Sequence, residues 1–223
     1  MNLAVALSML PLLLVAYIVW RYDRKPEPIR TVFFAFLWGC LSVIPAFWAE
    51  YFINFHNIWI DTYIGVAAVE EGCKMAVLML YIWHRADFDD SFDAIVYSIM
   101  VSLGFAAVEN VLYLLSGDIS LLVARSVFTL PGHITFSILM GFFVAKAKTH
   151  YYYSRIKKQY LYLAIAFLLA VVVHGTYDCL VIKCGALGII WPLIAFVVVE
   201  DIGCILMVRY AAHTDHPMIK DDL

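Results

Sequence analysis

Charge is what this sequence has least of. Only 15% of its 223 residues are Asp, Glu, Lys or Arg, while 64% are hydrophobic. A soluble domain is about half apolar and about a quarter charged. Net charge is -3 and no basic patch is interleaved with aromatics, which speaks against a nucleic-acid partner. Paired CxxC motifs are missing. The five cysteines are Cys40, Cys73, Cys179, Cys184 and Cys204. An odd, scattered set argues against a disulfide framework or a thiolate zinc cage. Those inside apolar blocks read as small hydrophobes. HExxH and GxSxG are absent, so neither the zincin helix nor the nucleophile elbow is available. No charged n-region or small-x-small site precedes Arg21, so residues 2–20 read as a retained helix and not a signal peptide.

What is present comes in blocks. Apolar runs of about 20 residues are the length a bilayer core demands, and the charges fall mostly between them. The expected fold is all-α, a polytopic membrane bundle of about seven spans at roughly 2–20, 31–53, 62–83, 93–115, 119–145, 160–183 and 186–211. Residues 1–212 form one membrane-embedded domain, and 213–223 form a short polar tail expected to be mobile. Lys and Arg sort the loops. Arg21, Arg24, Lys25 and Arg30, then Arg85, then Lys146, Lys148, Arg155, Lys157 and Lys158 mark one side; the alternate loops carry none. This places the N-terminus outside and the C-terminus in the cytoplasm of a cell membrane. Tyr151 to Tyr153 read as an interfacial anchor.

An ionisable residue at mid-bilayer costs about 2.5–3.5 kcal/mol on insertion scales, which makes each one a functional candidate. The third span holds Glu70, Glu71 and Lys74 in AAVEEGCKMAVL. At helical spacing Lys74 reaches either carboxylate. A structural ion pair would need only one of them. The fourth span holds Glu109 followed by Asn110, with Phe105 one turn earlier. The fifth holds His133 just after Pro131 and Gly132, which open the helix and free backbone groups; Arg125 precedes it and either counters an acidic neighbour or snorkels. The sixth holds His174 and Asp178, one turn apart on one face, where a carboxylate can orient the imidazole. Given the alternating directions of the spans and the helical rise, Glu70, Glu109, His133, His174 and Asp178 fall at a shared depth. A single site between four helices explains that. Glu200 and Asp201 fall off this plane and are expected to pair with Lys or Arg. Glu50 and Asp61 sit near span ends, where they are expected to stay hydrated.

A buried glutamate serves as general base on water, and a histidine shares the proton or stabilises an oxyanion. The same residue types also hold zinc; the candidate ligands are His133, His174, Glu70 and Asp178. Tyr177-Asp178 has no GxGD partner, which disfavours an aspartyl intramembrane protease. Buried carboxylates also occur in proton- or solute-coupled transporters, the alternative reading, although no inverted repeat or pair of broken helices is visible.

These segments resemble the PrsW family of intramembrane proteases, itself similar to the CAAX prenyl protease and bacteriocin-processing superfamily. The matching stretches are YDRKPEP (Tyr22–Pro28), EEGCK (Glu70–Lys74), GFAAVEN (Gly104–Asn110), GHITFSILMGFFVAKAK (Gly132–Lys148) and HGTYD (His174–Asp178). The resemblance implies cleavage of single-span membrane proteins, such as an anti-sigma factor in a stress response, by a first cut on the outer side. It carries the paired glutamates to Glu70 and Glu71 and the late histidine to His174. The wider superfamily has FxxxH where this chain has Phe105 and Glu109, so one potential metal ligand is replaced. The expected mechanism has Glu70, with Glu71, activating water, Lys74 neutralising the second carboxylate, and His174 oriented by Asp178. His133 and Glu109 complete the site by hydrogen bonding or by sharing a metal. The family is described both as metal-dependent and as glutamic. Lys74 within reach of both carboxylates favours glutamic chemistry without a cofactor over zinc or another divalent metal.

Overall fold

In a computed structural model of the chain, residues 14–23, 25–53, 55–115, 129–215 and 217–218 are described. Regular structure among them is helical, and the β feature is an isolated bridge between Asp90 and Pro217. Helix α1 covers 14–22 and α2 covers Ile29–Phe52. Helix α3 is one continuous run in four pieces: Ile58–Ile60, a π segment Asp61–Ala67, Ala68–Val77 and a second π segment Leu78–Ile82. Then come α4 (Asp93–Leu115), α5 (Leu130–Tyr152), α6 (Ile156–Leu187) and α7 (Trp191–His213).

The starts and stops have local causes. Asn57 caps α3, its Oδ1 accepting the N–H groups of Trp59 and Ile60. Pro131 and Pro192 lie in the first turns of α5 and α7, where a missing N–H costs nothing. Helix α6 ends on Gly188 at φ +65°, a left-handed conformation that glycine adopts without a Cβ penalty.

Helices α2, α4, α5, α6 and α7 are long and apolar enough to cross a membrane. Burial grades them. The apolar windows of α4 and α5 are 78% and 67% buried, against 11% for α7. So α4 and α5 form the centre, and α2, α6 and α7 turn large apolar side chains outward, among them Phe52, Leu168 and Val199. Water would penalise that surface; lipid does not. The chain is a multi-pass membrane protein. Among the described residues five helices meet the length and hydropathy requirement, where the sequence suggested about seven spans. Most of the expected first span lies outside the described residues. The expected third is α3, whose EEGCK core lowers its hydropathy.

Two glycines set the α2–α4 crossing. A Cβ on Gly39 would come 2.0 Å from the Val101 carbonyl oxygen, and one on Gly104 would come 2.0 Å from that of Phe36. Backbone therefore meets backbone at both points, the small-residue contact that membrane helices use. Gly104→Val is expected to force the helices apart at a cost of about 1–3 kcal/mol, seen as an earlier unfolding transition in detergent with added denaturant.

Three expectations change at the end of the bundle that carries the basic loops. Helix α5 does not stop near residue 145 but runs to Tyr152. Lys148 is not a solvated loop charge. It is 3% exposed, donates to the Trp83 carbonyl, and sits 4.9 Å from the Phe88 ring centroid. Cation–π attraction and the carbonyl replace its water. The tail is docked where it is described: Asp215 accepts from Ser91 and the Phe92 N–H, Met218 N donates to the Asp89 carbonyl at 2.8 Å, and Met218 is buried.

Candidate active site

Helices α3, α4, α5 and α6 bring Glu70, Glu71, Lys74, Glu109, His133, His174 and Asp178 together, as the shared depth required. Between its two π segments α3 winds as a regular α-helix, and that stretch carries the whole EEGCK motif. Such insertions frequently flank functional sites. Glu70, Glu71 and Lys74 are all buried, and Lys74 lies between the carboxylates. Its Nζ is 2.7 Å from Glu71 Oε1 and 3.2 Å from Glu70 Oε2. It also lies 4.5 Å from the Phe105 ring centroid, so Phe105 adds cation–π support.

The two histidines answer to different carboxylates. His133 Nδ1 is 3.2 Å from Lys74 Nζ. An ammonium only donates, so Nδ1 carries the lone pair and the proton sits on Nε2, which faces Glu109 Oε2 at 2.9 Å. The His133 carbonyl accepts from Ser102 and Ser137, fixing the helix turn that presents the ring. His174 donates from Nδ1 to Glu71 Oε1 at 2.9 Å, and its Nε2 lies 3.4 Å from Asp178 Oδ2. Phe136 stacks on the His174 ring at 4.6 Å. Asp178 is therefore the longer, weaker partner, and Glu71 is the carboxylate that orients His174, where the sequence had suggested Asp178. Gly175 allows the close approach of α3: a Cβ there would meet the Tyr63 ring at 2.6 Å. Tyr63 in turn hydrogen-bonds Thr176 at 2.7 Å.

A cavity of about 420 Å³ opens onto this cluster, lined by Glu70, Glu109, His133, His174 and Asp178 together with Asp61 and Tyr113. Glu71 and Lys74 do not line it. The side chain of Glu71 is 0% exposed and that of Asp178 25%. The site thus has a sealed floor, Glu71 and Lys74, and a polar wall whose one glutamate from the EE pair is Glu70. Asn110 is buried but is not part of the lining. Arg125 lies outside the described residues.

Other polar residues behave differently from what their positions in the sequence suggested. Among the described residues Glu200 pairs with no Lys or Arg; it accepts from Thr135, two residues past His133. Glu50, at the end of α2, is half-buried and lies within electrostatic reach of Glu70 and Glu109, so it is not simply a hydrated end residue. Asp61 accepts from the Phe55 N–H and lines the cavity. Their nearness to span ends concealed both.

The donor set fits a metal ion. Glu70, Glu109 and His133, and likewise Glu70, Glu71 and His174, each offer ligand atoms within 4.8 Å of one another. Carboxylate with imidazole is a zinc-type set, and Glu71 Oε2 is buried with no hydrogen-bond partner. Lys74 competes for the same oxygens.

Comparison with known proteins decides what such a site belongs to. A model of the PrsW family intramembrane metalloproteases matches residues 27–201. This chain belongs to the PrsW family. Proteins called Protease PrsW are similar to it in Oceanobacillus iheyensis (39% identity, covering 75% of this chain and 77% of that protein), Geobacillus kaustophilus (35%, covering 76% and 75%) and Bacillus subtilis (30%, covering 73% of each). No solved structure matches. The matched region contains every residue of the cluster, and the family it defines is one of intramembrane proteases. The transporter alternative is set aside on that ground.

Proposed function

We propose that this PrsW family member is a glutamic-type intramembrane endopeptidase that makes the outer-side cut in a single-span protein such as an anti-sigma factor, as part of a stress response. In this reading the bundle has seven spans, with its N-terminus outside and C-terminus in the cytoplasm. The observation that carries the proposal is that Glu70 is the one carboxylate of the EE pair that lines the cavity, together with His174, while Lys74 ties it to the fully buried Glu71.

The roles follow from that arrangement. Glu70 takes the proton of a water in the cavity as the water attacks the scissile carbonyl. Lys74 holds Glu70 and Glu71 in place and balances their charge. Glu71 holds the His174 proton on Nδ1, so Nε2 presents its lone pair to the cavity, takes up the proton that Glu70 removed from the water, and passes it to the leaving amine as the C–N bond breaks. His133 links Glu109 to Lys74 through its two ring nitrogens and so fixes both groups at the cavity. If a metal binds here, Glu70, Glu109 and His133 are the residues that would hold it, and it would supply Lewis-acid polarisation of the carbonyl and a more acidic bound water.

The test uses purified protein reconstituted with a single-span substrate carrying a folded outer domain. Wild type is expected to cut it with or without chelator, and Glu70→Gln and His174→Ala to lower the rate about 10²–10⁴-fold. Activity lost on chelation and restored by zinc would replace the glutamic mechanism with a metal one. Full activity in Glu70→Gln would sink the assignment of the site.

A further inference from the structure

A second carboxylate cluster lies at the other end of the bundle. Asp23 and Glu27 come from the segment between α1 and α2, and Asp93 opens α4. Asp93 and Glu109 are sixteen positions apart on α4, so about 24 Å separates this cluster from the cavity. Asp23, Glu27 and Asp93 are 5%, 5% and 1% exposed. Each offers an oxygen, and the three lie within 4.8 Å of one another.

The oxygens are only half used. Asp93 Oδ2 accepts the N–H groups of Asp89 and Asp90 at 3.0 and 2.7 Å, and Asp93 Oδ1 has no partner among the described residues. Asp23 Oδ1 accepts the Lys25 N–H at 2.9 Å, and Asp23 Oδ2 has no partner among the described residues. Glu27 Oε2 accepts from the Tyr97 hydroxyl. The ammonium of Lys25 does not serve the trio; it pairs with Asp90 at 2.8 Å. Burial pushes Asp23 up to about 6 and Glu27 up to about 7, because the charged form of a carboxyl is disfavoured away from water. The segment is also preset. Lys25 and Glu27 each precede a proline, which restricts both to extended backbone, so Glu27 is held in place before any ligand arrives.

We propose that Asp23, Glu27 and Asp93 bind one hard divalent cation, magnesium or calcium, and so clamp the segment before α2 to the start of α4. The donors are all oxygen, which suits these ions and not the softer metals. The cation supplies the positive charge that the two partnerless oxygens lack. It also stiffens the turn at 89–93 onto which the C-terminal segment docks. The site is independent of the catalytic cavity.

Terbium reports such a site directly. Trp20 donates its indole N–H to the Glu27 carbonyl at 2.8 Å, and Tyr97 touches Glu27, so both are placed to sensitise a bound lanthanide. Full-length protein in lipid nanodiscs is titrated with terbium, then with calcium or magnesium. Wild type and His174→Ala are expected to give the same sensitised emission, displaced by calcium or magnesium. Asp23→Asn, Glu27→Gln and Asp93→Asn, each the same size as the native residue, are expected to lose at least tenfold in affinity. The melting midpoint of wild type is expected to rise with either ion, and that of the three variants to stay put. Emission that persists in the variants, emission lost in His174→Ala, or a wild-type midpoint indifferent to both ions would each overturn the proposal. The wild-type melt decides the matter even if a variant fails to fold.

Discussion

Lys74→Met is expected to be the most damaging single change in the protein. It keeps the length and the apolar stem of the side chain but removes the one ammonium that Glu70 and Glu71 share, at 3.2 and 2.7 Å. Removing one partner of a buried ion pair costs about 3–5 kcal/mol, because the remaining charge is stranded. Here a single deletion strands Glu71, which is fully buried, and leaves His133 Nδ1 without its donor. The expected result is a large drop in the denaturant midpoint and no proteolysis. The paired change Lys74→Met with Glu71→Gln removes the stranded charge as well and is expected to recover much of the stability without the activity. A double-mutant cycle reads the coupling. The same variant separates the two mechanistic readings. Without the ammonium the carboxylates and imidazoles are open to a divalent ion, so a Lys74→Met enzyme that regains activity with zinc would show that this donor set supports metal chemistry once Lys74 no longer competes for it.

That the site could be read from the chain at all rests on how rare its residues are in their setting. Glu70, Glu71, Lys74, Glu109, His133 and His174 stand out because an ionisable side chain inside an apolar block needs a partner or a role, and helical spacing alone paired Lys74 with both glutamates. Common depth then grouped residues as far apart as Glu70 and His174. Pairings across helices were less legible. Nothing in local spacing distinguishes Asp178, four residues from His174, from Glu71, on another helix; rotation of α3 against α6 decides it, and the bare contact at Gly175 sets that rotation. Glu50 and Asp61 sat near span ends, where hydration was the simpler reading; only the packing of α2 brings Glu50 within electrostatic reach of Glu70 and Glu109, and only the entry into α3 sets Asp61 in the cavity lining. Lys148 was counted among loop charges because periodicity does not reveal that Trp83 and Phe88, from another part of the chain, form a pocket around it. The π segments of α3 have no signature in composition, and the docking of Asp215 on Ser91 and Phe92 joins residues 124 and 123 positions apart, which local pattern does not reveal.

The ranking of the two carboxylates around His174 gives the second large effect. Glu71→Gln is expected to lower cleavage about 10²–10⁴-fold, the range for removing an acid–base function, while Asp178→Asn is expected to lower it less than about tenfold. Glu71 holds the Nδ1 proton at 2.9 Å from a fully buried position, and Asp178 stands 3.4 Å from Nε2 with a quarter of its side chain exposed. An amide at position 71 has a donor and an acceptor where the carboxylate had only acceptors. It can turn its NH₂ toward His174 Nδ1 and stabilise the opposite tautomer, which moves the proton to the nitrogen that faces the cavity. A water at the rim replaces Asp178 more easily, since that residue is already partly hydrated. The check is kcat and KM for both variants on the reconstituted substrate, with the melting midpoint alongside. A fall in kcat at Glu71→Gln with KM unchanged places the loss in the transition state. If Asp178→Asn were instead the more damaging of the two, the His174 proton would be governed from the rim, and Glu71 would be a structural partner of Lys74 and no more.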